Sequence, residues 1–244
     1  HSKLIHIAEE LAPYRQKDTS LMVNKTLKAN KRVLFEGAQG TMLDILHGTY
    51  PFVTSSSTVS GSACTGTGIG PTSIKNVIGV FKAYTTRVGS GPFPTELHDE
   101  IGKKIQTDGH EFGATTGRAR RCGWLDLVAL KHACMINGIN NLVITKLDVL
   151  TGIDTLKIAT HYKTEDGKII DYFTSSTTKL YDYEAIYTDL PGWTEDITTA
   201  RTFDELPENA KKYIGFIEEY LGINVYLVSV GPERSQNIIR KELF

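Results

Sequence analysis

Apolar residues recur at helical spacing in several parts of the chain. We expect amphipathic helices at Leu4–Leu11, Asp18–Ala29, Leu97–Gln106, Leu125–Ile136 and Tyr213–Leu221. The second begins with Asp, Thr and Ser residues, all of which cap a helix N-terminus well. The last two are followed by Gly138 and Gly222, and glycine commonly ends a helix because it tolerates the left-handed conformation needed there.

Short apolar runs bounded by Gly, Pro or polar residues predict buried strands. We expect them at Val33–Phe35, Val77–Tyr84, Leu142–Thr145, Leu156–Tyr162, Lys168–Tyr172 and Ile223–Val228. Residues 165–167 (Glu-Asp-Gly) separate the fourth run from the fifth and indicate a hairpin. Because strands otherwise alternate with helices, we predict an α/β fold with a mainly parallel sheet. Polar loops at 37–70, 89–94 and 108–123 follow predicted elements, and ligands bind such sheets beyond the carboxyl ends of strands.

Composition and charge narrow the class of protein. The 244 residues are 40% hydrophobic and 23% charged, as in ordinary globular proteins. A net charge of −1 argues against bulk attraction to nucleic acid or to an anionic membrane. No apolar run reaches the roughly 18 residues of a membrane span. The three cysteines form no CxxC pair, so we expect reduced thiols in a cytoplasmic protein rather than a zinc or disulfide site.

A loop rich in Gly, Thr and Arg spans Gly113–Arg121. Its glycines permit tight turns and its threonines supply hydroxyls, while Arg118, Arg120 and Arg121 supply forked cationic donors suited to carboxylate or phosphate. The composition predicts a loop that closes on a small anionic ligand. A solvated basic loop without a ligand is equally compatible with it.

The segment Thr145–Asp148 follows the best predicted buried strand. GTPases bind guanine with a four-residue motif, which consists of Asn or Thr, then Lys, a spacer residue and Asp. The Asp carboxylate accepts hydrogen bonds from the ring N1–H and the 2-amino group, and adenine presents a different edge. On these four residues alone, an ion pair at a strand end is the commoner interpretation.

Two more loops have side chains suited to nucleotides. Gln39 lies between glycines after the predicted strand Val33–Phe35, and an amide can make a two-point contact with a base edge. This loop lacks the Lys of a phosphate-binding P-loop. The run Thr54–Ser57 offers hydroxyl and backbone N–H groups for a phosphate. Each loop taken alone is more often a simple turn.

No catalytic or metal-binding constellation is recognisable from spacing. His132 lies on the apolar face of a predicted helix and is more typical of a satisfied core residue than of a ligand. His47 lies near Asp44, but no third residue at suitable spacing completes a triad or a metal site.

Ten segments resemble adenylosuccinate synthetases in order and spacing, over nearly the whole chain. They are Phe35–Asp44, His47–Pro51, Val53–Ser56, Lys82–Gly89, Gly91–Leu97, Glu111–Arg118, Gly123–Asp126, Thr145–Leu150, Pro191–Trp193 and Gly231–Arg234. The resemblance implies that residues 1–244 are the C-terminal portion of a single large domain. Its fold would be α/β and P-loop-NTPase-like, with a mainly parallel central sheet flanked by helices and a small antiparallel hairpin region.

The resemblance also implies a ligase of purine biosynthesis. In this family GTP phosphorylates the 6-oxygen of IMP, and L-aspartate then displaces that phosphate to give adenylosuccinate, GDP and phosphate. The family uses Mg²⁺ as cofactor and forms homodimers. The resemblance further implies a cytoplasmic protein whose partners are these small molecules and not nucleic acid or membrane.

Motif by motif, the resemblance assigns site residues. IMP is expected to contact Gln39, Thr54 and Arg118. The aspartate site is expected at Ala114, Thr115, Thr116, Gly117, Arg118, Ala119 and Arg120. The GTP site is expected at Arg120, Lys146, Leu147, Asp148, Ser229, Val230 and Gly231.

The family's catalytic Asp and His, its phosphate-binding loop and its Mg²⁺ ligands lie in an N-terminal half without a counterpart here. We therefore expect no catalytic residue and no metal ligand in this chain, which starts without Met. We also expect that the chain alone binds nucleotide weakly, if at all, and does not turn over substrate. The alternatives are a non-catalytic guanine-nucleotide-binding module, a phosphotransferase with another acceptor, and a structural fragment. The joint presence of Gln39, Arg118 and Arg120 favours the enzyme.

Overall fold

The computed structural model describes residues 2–113, 117–174 and 176–242. Within these ranges the helices are α1 (Ser2–Leu11), α2 (Thr19–Lys28), α3 (Ser62–Thr67), α4 (Glu100–Asp108), α5 (Leu127–Asn137), α6 (Thr177–Tyr181) and α7 (Glu208–Leu221). The strands are β1 (Ile78–Lys82), β2 (Thr85–Arg87), β3 (Arg121–Gly123), β4 (Leu125–Asp126), β5 (Asn141–Thr145), β6 (Thr155–Lys163), β7 (Ile169–Ile170), β8 (Glu184–Pro191), β9 (Val225–Ser229) and β10 (Asn237–Ile239). The chain divides into two compact units, His1–Ala38 with Ser60–Lys75 and Gln39–Val59 with Asn76–Phe244.

The first unit contains α1, α2 and α3. Asp18 caps α2 by accepting a hydrogen bond from the Leu21 N–H at 2.8 Å, as the sequence predicts. The Asn24 side-chain amide on α2 donates to the Gly68 carbonyl at 3.0 Å, which ties α2 to the residue that ends α3. None of the described helices in the chain is long and apolar enough to cross a membrane.

The central sheet of the second unit has the strand order β1-β5-β9-β10. β1 pairs with β5 and β5 with β9 in parallel, whereas β10 runs antiparallel to β9. The first four residues of β5 are buried, as expected of a parallel strand covered on both faces. The predicted α/β fold with a mainly parallel central sheet is therefore confirmed.

A second sheet is built around β6. β4 pairs with β6 in parallel, and β7 and β8 pair with it antiparallel. The β6–β7 pair is the predicted hairpin, and Gly167 in its turn has a φ of 80°. The long strand β8 is not indicated by the apolar pattern, because it is defined by its pairing with β6. β2 and β3 form a separate antiparallel ribbon in which Arg87 lies opposite Arg121.

The main core cluster of the second unit combines buried side chains from helices and strands, among them α7, β5 and β9. Its buried side chains from β5, β9 and α7 include Leu142, Ile144, Val225, Val228, Ile214 and Ile217. Each such side chain stabilises the fold by about 1.5–3 kcal/mol relative to an exposed one. Tyr213 of α7 donates its hydroxyl to the Ala83 carbonyl at 2.6 Å, just beyond β1. Helix α7 thereby fixes the end of the strand that carries Lys82.

Three local predictions are wrong. Val33–Phe35 forms no strand, and the Leu34 side chain is 71% exposed. An apolar run becomes a strand only where a neighbour supplies hydrogen-bond partners, and no described strand pairs with this one. The predicted loops at 37–70 and 108–123 contain α3 and β3, the latter because β2 pairs with it. A single domain over residues 1–244 stays a prediction.

Candidate functional site

Three parallel strands end side by side at one edge of the central sheet. Lys82 at the end of β1 pairs in register with Thr145 at the end of β5. Ile144 of β5 pairs with Val228 of β9, which ends at Ser229. The predicted guanine segment and the predicted Ser229 segment therefore start from neighbouring strand ends. This edge is where ligands bind in open parallel sheets.

Lys146 follows β5 in a left-handed backbone conformation, with a φ of 62°. This conformation is uncommon for a residue with a side chain. The Lys146 Nζ donates to the Gly109 carbonyl at 2.7 Å, and no salt bridge joins it to Asp148 among the described residues. The alternative interpretation of a Lys146–Asp148 ion pair is therefore not supported.

Asp148 has an unused acceptor. Its Oδ1 is buried and has no hydrogen-bond partner among the described residues. Burial raises the pKa of Asp148, although its own backbone N–H and the Lys146 ammonium oppose that rise. A buried polar atom without a partner costs about 1–3 kcal/mol. A ligand that aims N–H groups at this carboxylate would therefore bind favourably. The adjoining Leu147 is fully buried.

The segment after β9 is held by its own side chains. The Ser229 hydroxyl donates to the Gly231 carbonyl at 3.0 Å, and the Val230 N–H donates to the Gln236 carbonyl at 2.9 Å. The Gln236 side-chain amide donates in turn to the Thr198 carbonyl at 3.2 Å. The predicted GTP residues 229–231 are thus fixed next to the end of β5.

The loop 113–121 is closed by a short ladder of backbone hydrogen bonds. The Gly113 N–H donates to the Arg118 carbonyl at 2.8 Å, and the Arg120 N–H donates to the Glu111 carbonyl at 2.8 Å. The base of the loop therefore has a defined geometry.

The predicted aspartate-binding residues are only partly covered by the structure. Ala114, Thr115 and Thr116 lie outside the described residues. Gly117 has a φ of 63°, which glycine adopts without steric cost. Gly117, Arg118 and Ala119 are exposed, and Arg120 is half-buried.

Arg120 is anchored by a buried carboxylate. Glu111 is 0% exposed, and its Oε2 accepts from Arg120 Nη1 at 2.7 Å. Lys82 Nζ donates to both Glu111 oxygens at 2.7 and 2.8 Å, and the Tyr84 hydroxyl donates to Oε1 at 2.6 Å. Burial opposes ionisation, but these donors outweigh it and lower the pKa of Glu111. Nothing in the spacing of Lys82 and Glu111 reveals this pairing, although both lie in segments that carry the family resemblance.

Arg121 has a structural role, unlike the ligand-binding role suggested by its place beside Arg118 and Arg120. It forms a two-point ion pair with Glu96. Its Nη1 also donates to the carbonyls of Gly89 and Gly91 at 3.1 and 2.9 Å. Its donors are therefore used to fix a neighbouring loop.

The segment that carries Gln39 and Thr54 is organised around buried Asp44. Asp44 Oδ1 accepts from the N–H groups of Leu46 and His47, both at 2.9 Å. Its Oδ2 accepts from the Ser57 hydroxyl at 2.9 Å and the Thr58 N–H at 2.7 Å. Burial opposes ionisation, yet these four donors hold the pKa of Asp44 well below its ordinary value.

Gln39 and Thr54 lie at two places along this segment. The Thr54 N–H donates to the Leu43 carbonyl at 2.8 Å. Gln39 is exposed with a φ of 64°, and next to it the Gly40 carbonyl accepts from the Thr58 hydroxyl at 2.8 Å. Among the described residues, no hydrogen bond or ion pair joins Gln39 or Thr54 to the residues at the strand ends.

No metal centre is found in the part of the chain that the structure describes. It contains no group of three or more His, Cys, Asp or Glu side chains that could hold a metal ion. His132, expected as a satisfied core residue, is only half-buried. Its ring centroid lies 4.9 Å from that of Phe173, and its Nε2 has no partner among the described residues. The described residues of this chain therefore do not fit a Mg²⁺ site, and no step of the reaction is assigned to the metal.

The chain matches known proteins along nearly its whole length. The family model for adenylosuccinate synthetase matches residues 1–238. The adenylosuccinate synthetase of Bdellovibrio bacteriovorus is 61% identical over 241 residues, which cover 99% of this chain and 56% of the relative. That of Carboxydothermus hydrogenoformans is 53% identical, with 100% of this chain and 57% of the relative covered.

One solved structure agrees with this match, and a second one shares the fold. The fully ligated adenylosuccinate synthetase of Plasmodium falciparum is 40% identical with a TM-score of 0.89, over 98% of this chain and 62% of that one. The succinoaminodeoxyadenylate synthetase of cyanophage S-2L is 16% identical with a TM-score of 0.55, over 91% of this chain and 50% of that one, and shows the fold alone. The chain spans a little over half the length of its curated relatives, and it belongs to the adenylosuccinate synthetase family.

Proposed function

We propose that the full-length protein containing this chain joins IMP to L-aspartate with GTP, giving adenylosuccinate, GDP and phosphate. GTP transfers its γ-phosphoryl group to the 6-oxygen of IMP. The aspartate amine then attacks carbon 6 and releases a proton, the bond to the phosphorylated oxygen breaks, and phosphate leaves. Family membership supports a ligase of purine biosynthesis, and the site residues support this choice of substrates.

The observation that carries the proposal is the unpartnered carboxylate oxygen of Asp148 at the ends of β5 and β9. Guanine presents two adjacent donors, N1–H and the 2-amino group, and these match an ionised carboxylate. Adenine presents an acceptor at N1, which the carboxylate would repel. Asp148 therefore favours GTP over ATP, with Lys146, Leu147 and residues 229–231 forming the rest of the base pocket.

The cations at the same edge support an anionic ligand. Lys82 and Arg120 both donate to the Glu111 carboxylate. Burial lowers the pKa of Lys82 and Glu111 raises it, while the positive charges of Arg120 and Lys146 lower it. Lys82, Arg120 and Glu111 together therefore carry a net positive charge. We assign Arg120, with Arg118 and the loop 114–120, to the aspartate carboxylates and the GTP phosphates.

The IMP site would use the Asp44-centred segment. The Gln39 amide matches the donor and acceptor edge of hypoxanthine, and Thr54 offers a hydroxyl and a position near backbone N–H groups for the phosphate. We expect the enzyme to act as a cytoplasmic homodimer that uses Mg²⁺.

The test is adenylosuccinate formation by the full-length gene product with IMP, aspartate, Mg²⁺ and either GTP or ATP. We expect product with GTP and not with ATP, and no product from residues 1–244 alone. Saturable GTP binding without product would favour a guanine-nucleotide-binding module. Equal rates with both nucleotides would refute the role of Asp148, and comparable rates from residues 1–244 would refute the need for the remaining segment.

A further inference from the structure

Glu111 has every acceptor site occupied. A carboxylate offers about four lone-pair positions. Lys82 takes one on each oxygen, Tyr84 takes a second on Oε1, and Arg120 takes a second on Oε2. Because Glu111 is also fully buried, it is in no position to contact a substrate. Any effect of Glu111 on the reaction must pass through one of these three partners.

Of the three partners, Arg120 is the one best placed to contact a ligand. Its side chain is 31% exposed and lies at the end of the loop 113–121. Lys82 donates to Thr86 as well as to Glu111, so its three donors are used inside the protein. Arg120 Nε and Nη2, by contrast, make no hydrogen bond to any described residue. One side of the guanidinium is therefore fixed and the other remains for an anion.

Backbone bonds add to this fixation. The Arg120 N–H donates to the Glu111 carbonyl at 2.8 Å, and the Gln106 side-chain amide donates to the Arg120 carbonyl at 2.6 Å. An arginine with both its main chain and one nitrogen held loses less conformational freedom when it binds an anion. A free side chain on a loop would lack this preorganisation.

The same short segment also holds the guanine side of the site. Gly109, two residues before Glu111, accepts a hydrogen bond from Lys146 Nζ at 2.7 Å. Residues 109–111 therefore contact both Lys146 and Arg120. The distance between the base pocket and the anion-binding guanidinium is set by three consecutive residues.

We infer that Glu111 is a positioning residue, which orients Arg120 toward a phosphate or carboxylate of the substrates and holds it at a fixed distance from Lys146. The inference rests on the proposed function, because Arg120 has a substrate to bind only in that reaction. Neither the family match nor the resemblance assigns a role to Glu111.

The first test is Glu111→Gln in the full-length enzyme. The amide keeps one oxygen for Lys82 and Tyr84 but turns its NH₂ toward Arg120, so the guanidinium loses its anchor. We expect kcat/KM for aspartate or GTP to fall by about 10- to 100-fold, as for a misplaced binding group, with the KM for IMP changed by less than about two-fold. If the KM for aspartate rises more than the KM for GTP, Arg120 binds a carboxylate of aspartate. If the KM for GTP rises more, Arg120 binds a phosphate of GTP.

Glu218→Gln is the matched control. Glu218 also pairs with an arginine, Arg240, and accepts from the Val225 N–H at 2.6 Å, at the opposite end of β9 from Ser229. We expect its kinetic constants to match the wild type. If Glu111→Gln does not fold, Glu111→Asp keeps the charge but shortens its reach, and a smaller loss in the same kinetic constants is expected.

A double-mutant cycle separates positioning from a general structural effect. If Glu111 acts through Arg120, Glu111→Gln should cause no further loss in kcat/KM when Arg120 is already alanine. An equal loss in both backgrounds, or unchanged kinetic constants in the single variant, would overturn the inference while leaving the proposed function intact. An inactive wild type would instead overturn the proposed function, and the inference with it.

Discussion

The substitution Asp44→Asn tests whether one buried carboxylate shapes the proposed IMP loop. Asn keeps the shape of the side chain and can keep its Oδ1 facing the N–H groups of Leu46 and His47. The atom that replaces Oδ2 is then an NH₂ group. It faces the Ser57 hydroxyl and the Thr58 N–H, which both donate to Asp44 in the wild type.

The size of the effect follows from these four bonds. The Ser57 hydroxyl can rotate to accept, but the Thr58 N–H loses its partner, at a cost of about 1–3 kcal/mol. The two bonds that remain lose their charge assistance, about 1 kcal/mol each. We therefore expect the free energy of unfolding to fall by about 3–5 kcal/mol. Because Thr54 is carried by the same segment, the KM for IMP should rise while the KM for GTP changes little.

Urea unfolding and steady-state kinetics of the full-length protein would measure both effects. Asp18→Asn is the matched control, because exposed Asp18 accepts one helix-capping bond that Asn replaces well. Since folding lowers the pKa of Asp44, its contribution is present at neutral pH and is lost only as pH falls below the ordinary value of 3.8. A loss of less than about 1 kcal/mol at pH 7, or an unchanged KM for IMP, would refute this reasoning.

Three further predictions concern specificity, pH and backbone conformation. Asp148→Asn should lower kcat/KM for GTP by about 100-fold and favour xanthosine triphosphate, because the 2-oxo group of xanthine accepts a hydrogen bond from the Asn amide. Competition kinetics with the two nucleotides would show an unchanged preference if Asp148 does not bind the base. Burial raises the pKa of Asp126 to about 6, so the unfolded state ionises first as pH rises. Stability should fall by about 3 kcal/mol between about pH 4 and pH 6, and urea unfolding of Asp126→Asn should lack that slope. Gly138→Ala should lower the free energy of unfolding by about 1 kcal/mol, because φ is 62° at this position. Gly215→Ala within α7 should raise it by about 0.5–1 kcal/mol. Thermal unfolding that shows the same sign for both variants would contradict the backbone argument.

The sequence determined most of the helices and the buried strands. Asp18 at the start of α2 and the glycines that end α5 and α7 act within one or two turns, so local pattern is enough to place them. The apolar run of β5 and the polar segment after it identified both a strand and the place where its carboxyl end offers a ligand site. The order of motifs identified the family.

Tertiary structure alone decided which polar residues meet. Val33–Phe35 has the composition of a strand but no described partner, whereas β8 becomes a strand because β6 lies beside it. Arg121 and Arg120 are neighbours of the same residue type, yet one fixes a loop through Glu96 and the other is held by Glu111 beside the proposed ligand site. The physical reason is that a hydrogen bond or an ion pair depends on distances of about 3 Å between atoms, and for residues far apart in the chain only folding sets those distances.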